Sequence, residues 1–271
     1  PATVTSYVAH ALARMIVESG ILPEGAFQFI VGSTGDLFDH LTCQDVVSFT
    51  GSADTSEKLQ RHPVIAKEAV RFVAERDSLN AAILAPESGP GTPEFDLFIK
   101  EVAKEMTVKA GQKCTAIRRL LAPSAYLEPV IAALRERLDK VVIGNPELET
   151  VRMGPVVGLD QRRDVLANVK ALRTEAELVA GDPDNFDVQG ADVTRGAFLP
   201  PLLLHCADPI RATKVHSVEA FGPVSTVMGY GDLDEAVALT NRGGGSLVAS
   251  VYTHDPKVAS DLVFGVSSFH G

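Results

Sequence analysis

The side chain best suited to covalent chemistry is the thiol of Cys114, in the peptide Gly111-Gln112-Lys113-Cys114-Thr115. Glycine gives this loop freedom, and Lys113, Arg118 and Arg119 lie close in sequence. Positive charge near a thiol favours the thiolate, the form that attacks an electrophilic carbon. Most free cysteines are instead small buried apolar residues, and on spacing alone that reading outweighs the nucleophile. Glu75, in Ala74-Glu75-Arg76-Asp77, closes an apolar stretch. Partial burial there would raise its pKa toward that of a general base, while a solvated acid at a strand edge fits the same position. Two other peptides have a binding character. Thr50-Gly51-Ser52 offers amides and hydroxyls to a phosphate without the full GxGxxG pattern. Glu219-Ala220-Phe221-Gly222-Pro223 joins an acid, an aromatic ring and a tight turn, which also describes an ordinary loop entering a strand.

Regular elements must hold these residues. Val4, Val8, Leu12, Met15 and Ile16 recur at helical spacing and run into Gly20, a helix with its stop. Residues 27–31 and 45–49 are β-rich runs around a helical stretch at 36–41, which predicts strand, helix, strand. Thr50-Gly51-Ser52 then sits at a strand's carboxyl end, before a helix starting near Ala53, where open α/β sheets bind ligands. A strand over 69–74 delivers Glu75. The Pro- and Gly-rich residues 86–93 read as a linker, which places a domain boundary just before them: 1–82 and 83–271. Beyond it, Phe95, Phe98, Ile99, Val102 and Met106 form a helical stripe closing at Gly111, so Cys114 falls at a helix-to-strand turn. Strands are expected over 117–122, 198–204, 224–228 and 247–252, and helices over Leu127–Leu138, 161–172 and 234–241. There is no internal repeat.

Composition bounds the function. In 271 residues, 45% are hydrophobic and 22% charged, the balance of a folded globular chain. A net charge of -10 disfavours nucleic acid and a polybasic membrane contact. Cys43, Cys114 and Cys206 are too far apart for a CxxC site, and their odd number disfavours a disulfide framework, so no metal is expected and a reducing, cytoplasmic setting is. No run approaches the ~20 apolar residues of a spanning helix. None of the seven histidines sits in a motif that would pair it with a catalytic cysteine, which sets a thiol hydrolase aside.

In their order, the FTGS turn at Phe49 to Ser52, Glu75, GQxC at Gly111 to Cys114 and ExFGP at Glu219 to Pro223 resemble the aldehyde dehydrogenase superfamily. Gly144-Asn145-Pro146, Met153-Gly154-Pro155 and Phe198-Leu199-Pro200-Pro201 are similar landmarks between them, so the likeness spans the whole chain. The peptides from Ala74 to Asn80 and from Lys109 to Arg119 resemble, more narrowly, the aldehyde dehydrogenase half of the bifunctional ring-opening enzyme of phenylacetate catabolism. The resemblance implies an α/β fold, with part of a Rossmann-type cofactor domain followed by an α/β catalytic domain. It implies Cys114 as nucleophile and Glu75 as the base that activates water against a thioester. Thr50, Gly51 and Ser52 would lie at the cofactor pyrophosphate, Glu219 at the nicotinamide ribose and Phe221 beside the ring. The substrate would be an aldehyde, CoA-linked on the narrower likeness, such as 3-oxo-5,6-dehydrosuberyl-CoA semialdehyde, and the full enzyme a homo-oligomer. Thr3 falls where many NAD-preferring members carry a glutamate, and loss of that carboxylate would admit a 2'-phosphate, so NADP is expected, with NAD compatible.

There are departures. The family's ELGGK reads Glu75-Arg76-Asp77-Ser78-Leu79, which replaces both glycines and the lysine. The family's oxyanion asparagine and adenosine-ribose lysine would precede Pro1, and its C-terminal strands would follow Gly271, so the chain reads as a segment of a larger enzyme. Two other readings stand beside oxidation: a CoA-acylating dehydrogenase, disfavoured by the presence of Glu75, and a segment that keeps only the fold.

Overall fold

The structure, a computed structural model, describes residues 2–270. The chain divides into two compact units, one ending at Asp77 and the other starting at Ser78.

The first unit opens with the expected helix, α1 (Ser6–Glu18), after a 3₁₀ turn at Thr3–Thr5. Its apolar stripe is largely uncovered: Val8, Leu12 and Met15 are exposed, and Ala13 is its buried residue. Residues 27–31 do not form the expected strand. Among the described residues no ladder partner lies alongside them, and β-propensity alone does not make a strand. The helical stretch at 36–41 is realised as a 3₁₀ turn over Leu37–His40. The βαβ unit that does form is β1 (Val46–Thr50), α2 (Ala53–Gln60), α3 (Pro63–Lys67) and β2 (Arg71–Glu75). Its strands pair in parallel from Val46 opposite Arg71 to Thr50 opposite Glu75. Phe38, Ile65 and Val70 form the small core beneath it.

The second unit is a three-layer α/β domain. Its sheet contains β3 (Ala81–Leu84), β4 (Arg119–Pro123), β5 (Glu177–Ala180), β6 (Leu202–Cys206), β7 (Val224–Tyr230) and β8 (Ala249–Tyr252), in the order β5-β6-β7-β4-β3-β8. Every pairing is parallel except the edge pair β5–β6. Successive side chains of a strand point to opposite faces, and the two cores follow that alternation. Ala82, Leu84, Leu120, Ala122, Leu203 and Val227 face α4 (Pro93–Thr107) and α5 (Leu127–Leu138). Ala81, Ile83, Leu121, Leu202, Leu204 and Met228 face α6 (Leu159–Leu172), α7 (Leu233–Asn241) and α8 (Pro256–Val266). The stripe Phe95, Phe98, Ile99, Val102 and Met106 is buried along α4, as its spacing predicts.

The boundary expected at 82/83 would cut β3, a fully buried strand between β4 and β8, so the division falls earlier. Residues 86–93 are not a linker between units. They turn β3 into α4, with Ser88 fully buried, Thr92 capping the helix and Pro93 at its first turn. The strand expected over 198–204 starts only at Leu202, because Pro200 and Pro201 have no N–H to give a ladder.

Candidate active site

Cys114 is carried by the connection from α4 to β4. After α4 the chain makes a tight turn at Val108–Gly111 in which Lys109, Ala110 and Gly111 have φ of 55°, 51° and 68°. Three consecutive left-handed residues are costly, and only glycine takes this conformation without penalty. At Gly111 there is a second reason for glycine. A Cβ there would collide with the backbone carbonyl of Gly222, so the GQxC and ExFGP peptides meet backbone to backbone. The turn leaves Cys114 exposed with a free thiol.

The Cys114 backbone is held from beneath. Asn80 is fully buried, and its Nδ2 donates to the carbonyls of Cys114 (2.8 Å) and Ala116 (2.9 Å). Its Oδ1 accepts from Ser78 Oγ (2.7 Å) and the Val248 amide (2.9 Å), so both ends of the side chain are satisfied. The three cations near Cys114 in sequence each have other partners. Lys113 Nζ lies 2.7 Å from a Glu105 carboxylate oxygen. Arg119 is buried, donating to the carbonyls of Leu79, Leu239 and Thr240. Arg118 turns toward the ExFGP loop: Nε donates to Glu219 Oε1 at 3.0 Å, Nη1 to the Gly222 carbonyl and Nη2 to the Gly111 carbonyl, both at 2.8 Å.

Glu219 and Arg118 form an ion pair whose side chains are 5% and 4% exposed. The second carboxylate oxygen of Glu219 accepts from the Ser78 amide at 3.0 Å, and its carbonyl accepts from Asn168 Nδ2. Burial pulls the Arg118 guanidinium below its ordinary pKa, and the Glu219 charge offsets part of that. The Phe221 ring stacks on Arg118, with the guanidinium carbon 5.4 Å from the ring centre.

In the first unit, Thr50 ends β1 opposite Glu75, and the Gly51 amide donates to the Glu75 carbonyl at 3.1 Å. Ser52 caps α2, its Oγ accepting from the Thr55 amide. The next amide of the helix, that of Ala53, donates to the Asp77 carboxylate at 3.2 Å, so this helix end already holds an anion. Thr50, Gly51, Ser52 and Glu75 are therefore neighbours, whereas Thr3 sits apart in the exposed first turn of the chain.

Four residues of these sites carried no expectation from sequence: Ser78, Asn80, Asp77 and Arg118 in its role as a tie. Asn80 left a trace, being an amide inside the apolar run Leu79 to Leu84 that must find partners when buried. The targets of Arg118 and Asn80 are mostly main-chain atoms, which no residue pattern reveals.

The chain is similar to known proteins along nearly its whole length. The model of the aldehyde dehydrogenase family matches residues 1–267. A 3,4-dehydroadipyl-CoA semialdehyde dehydrogenase from Aromatoleum evansii is 47% identical over all 271 residues, which cover 53% of that protein. A putative aldehyde dehydrogenase from Staphylococcus saprophyticus is 29% identical over 98% of this chain and 54% of its own length. Among solved structures, a betaine aldehyde dehydrogenase from Staphylococcus aureus in complex with NAD+ superposes with a TM-score of 0.81 at 25% identity, covering 93% of this chain and 48% of that one. An aldehyde dehydrogenase from Bartonella henselae, at 21% identity and a TM-score of 0.79, shares the fold over 95% of this chain and 52% of its own. The chain spans about half the length of the curated relatives it matches. With a family model running through almost every residue, the chain belongs to the aldehyde dehydrogenase family.

Proposed function

We propose that the protein carrying this chain oxidises an acyl-CoA semialdehyde to its carboxylic acid through a thioester on Cys114. The observation that carries this reading is the exposed Cys114 thiol on a loop whose backbone is held by Asn80 and locked against the Glu219–Pro223 loop. A nucleophile must be open to substrate yet fixed in place. The thiolate bonds to the aldehyde carbon, and the Cys114 amide is a donor for the resulting oxyanion. A nicotinamide dinucleotide, when bound, supplies the hydride acceptor that turns this adduct into a thioester. Glu75 takes a proton from water as its oxygen bonds to the acyl carbon. The C–S bond breaks, the acid leaves and the thiolate is restored.

The amino end of α2 has the donors a cofactor phosphate needs, and the Asp77 carboxylate on the Ala53 amide would have to give way to it. Glu219 and the partly exposed Phe221 would hold the ribose and ring, and Thr3 in place of a glutamate supports NADP over NAD. The CoA-linked substrate draws support from the name of the relative at 47% identity. No helix among the described residues is long and apolar enough to cross a membrane, and all three cysteines are free. These facts fit a cytoplasmic enzyme, and the uncovered apolar side of α1 fits a homo-oligomer.

Two variants test the chemistry. Cys114→Ala is expected to abolish reduced-cofactor formation from an acyl-CoA semialdehyde, and unchanged turnover would sink the reading. Glu75→Gln should stall after acyl transfer and leave an acyl adduct on Cys114 that intact-mass spectrometry detects. Turnover at the native rate in that variant would move the base elsewhere.

A further inference from the structure

We infer that Arg118 is a positioning residue for both loops of the site, orienting the cysteine-bearing loop and the Glu219 carboxylate with one guanidinium. The inference rests on the reading of Cys114 and Glu219 above. Arg118 reaches four groups from a nearly inaccessible position, among them the Lys113 carbonyl at 3.4 Å from Nη2. Nη2 holds the carbonyl of Gly111, three residues before the thiol, Nη1 holds the carbonyl of Gly222, and Nε holds the acid itself. Its guanidinium carbon lies 5.4 Å from the centre of the Phe221 ring, so the side chain assigned beside the nicotinamide contacts the same group.

The geometry calls for arginine in particular. A planar fork makes several bonds in fixed directions at once, whereas a lysine ammonium is a point charge on a flexible stem. Burying such a cation is unfavourable unless its partners compensate it, and a purely structural filler of this space would be better served by an apolar residue. What the guanidinium adds is registry between two peptides whose backbones are already in contact at Gly111 and Gly222. The next residue provides an internal contrast. Arg119 is also buried, but its partners are the carbonyls of Leu79, Leu239 and Thr240 and the ring of His216, away from both loops.

The experiment uses the protein that carries this chain, after native turnover and its loss in Cys114→Ala have been established, so that failure of the parent reading is recognised first. Reduced-cofactor dissociation constants and steady-state kinetics are compared for Arg118→Met, Glu219→Gln and the double variant. Each single variant is expected to weaken cofactor binding by at least about tenfold, with the double variant no weaker than the worse single, because residues acting as a unit are not additive. Arg118→Met should also lower kcat by about tenfold or more through the Gly111 tie. Arg118→Lys keeps the charge opposite Glu219. It is expected to recover much of the cofactor affinity but not kcat, and it serves as the test should the methionine variant fail to fold. Arg119→Lys serves as the structural control, expected to lower the melting temperature without that split between KM and kcat. Losses that multiply in the double variant, or an Arg118→Lys enzyme turning over within twofold of native, would overturn the proposal.

Discussion

At the scale of single residues, the site depends on groups that do no chemistry themselves. Gly111 combines a left-handed φ of 68° with a direct approach to the Gly222 carbonyl. Gly111→Ala therefore adds backbone strain of about 1–2 kcal/mol and a clash with backbone that cannot rotate away. The expected result is a lower melting temperature together with loss of turnover, and full activity in this variant would contradict the backbone contact. Asn80 is the second such group. Asn80→Leu would leave the carbonyls of Cys114 and Ala116, the Ser78 hydroxyl and the Val248 amide without their partner. Unpaired buried groups cost about 1–3 kcal/mol each, softened by relaxation and water, so a loss of about 3 kcal/mol in urea unfolding is expected. Neither role is written in the residue type. Gly111 could be recognised from its place in GQxC, but its reason for being glycine lies 111 positions away in Gly222.

At the scale of elements, what delivers Cys114 is the stretch β3–α4–β4. Thr92 starts α4 by accepting the Phe95 amide on Oγ1 at 3.2 Å, and its hydroxyl donates to the Gly89 carbonyl. Thr92→Ala is expected to cost about 1 kcal/mol, with Thr92→Ser close to native, as read from denaturant midpoints. The amphipathic α4 was plain from its apolar spacing, and α5 was legible to its end residues. β3 was not, because Ala81-Ala82-Ile83-Leu84 is short and half alanine, a poor strand signature, and it becomes a strand only by lying between β4 and β8. Residues 27–31 fail in the opposite direction: the composition of a strand is present and the neighbour is not. β5 and α8 were likewise unread, one a four-residue edge strand, the other a helix whose exposed Val263 and Phe264 blur its stripe.

At the scale of the whole molecule, the second unit carries a buried titratable cluster that ties its stability to pH. His216 Nε2 donates to the Pro209 carbonyl at 2.9 Å, which leaves Nδ1 to accept from Arg119 Nη1 at 3.3 Å. Burial, with the charges of Arg119 and Arg242, drives its pKa down from 6.5 to about 4, and Arg119 itself is lowered by burial to about 10. Between pH 6.5 and 4 the unfolded chain binds a proton at this residue that the folded state refuses. Its contribution is therefore complete above pH 6.5 and lost as pH falls toward 4, by about 3 kcal/mol at ~1.4 kcal/mol per pKa unit. His216→Gln, which keeps a donor and an acceptor but cannot titrate, should flatten this part of the stability-against-pH curve; an unchanged slope would show that another group carries it. His270, also lowered by burial, would contribute to any slope that remains.

By itself the sequence determined the order of motifs and the helices whose burial follows a 3.6-residue period, because these are local properties of side-chain type and spacing, while Cys114, Glu75 and Glu219 stood out only through family resemblance. The tertiary structure alone decided which strands exist, where the two units part, and what each charge is for. Arg118 and Arg119 are adjacent in sequence, yet one binds the paired loops and the other the carbonyls of a structural core. That difference arises from partners some hundred residues away, which only the packed sheet brings within hydrogen-bond reach.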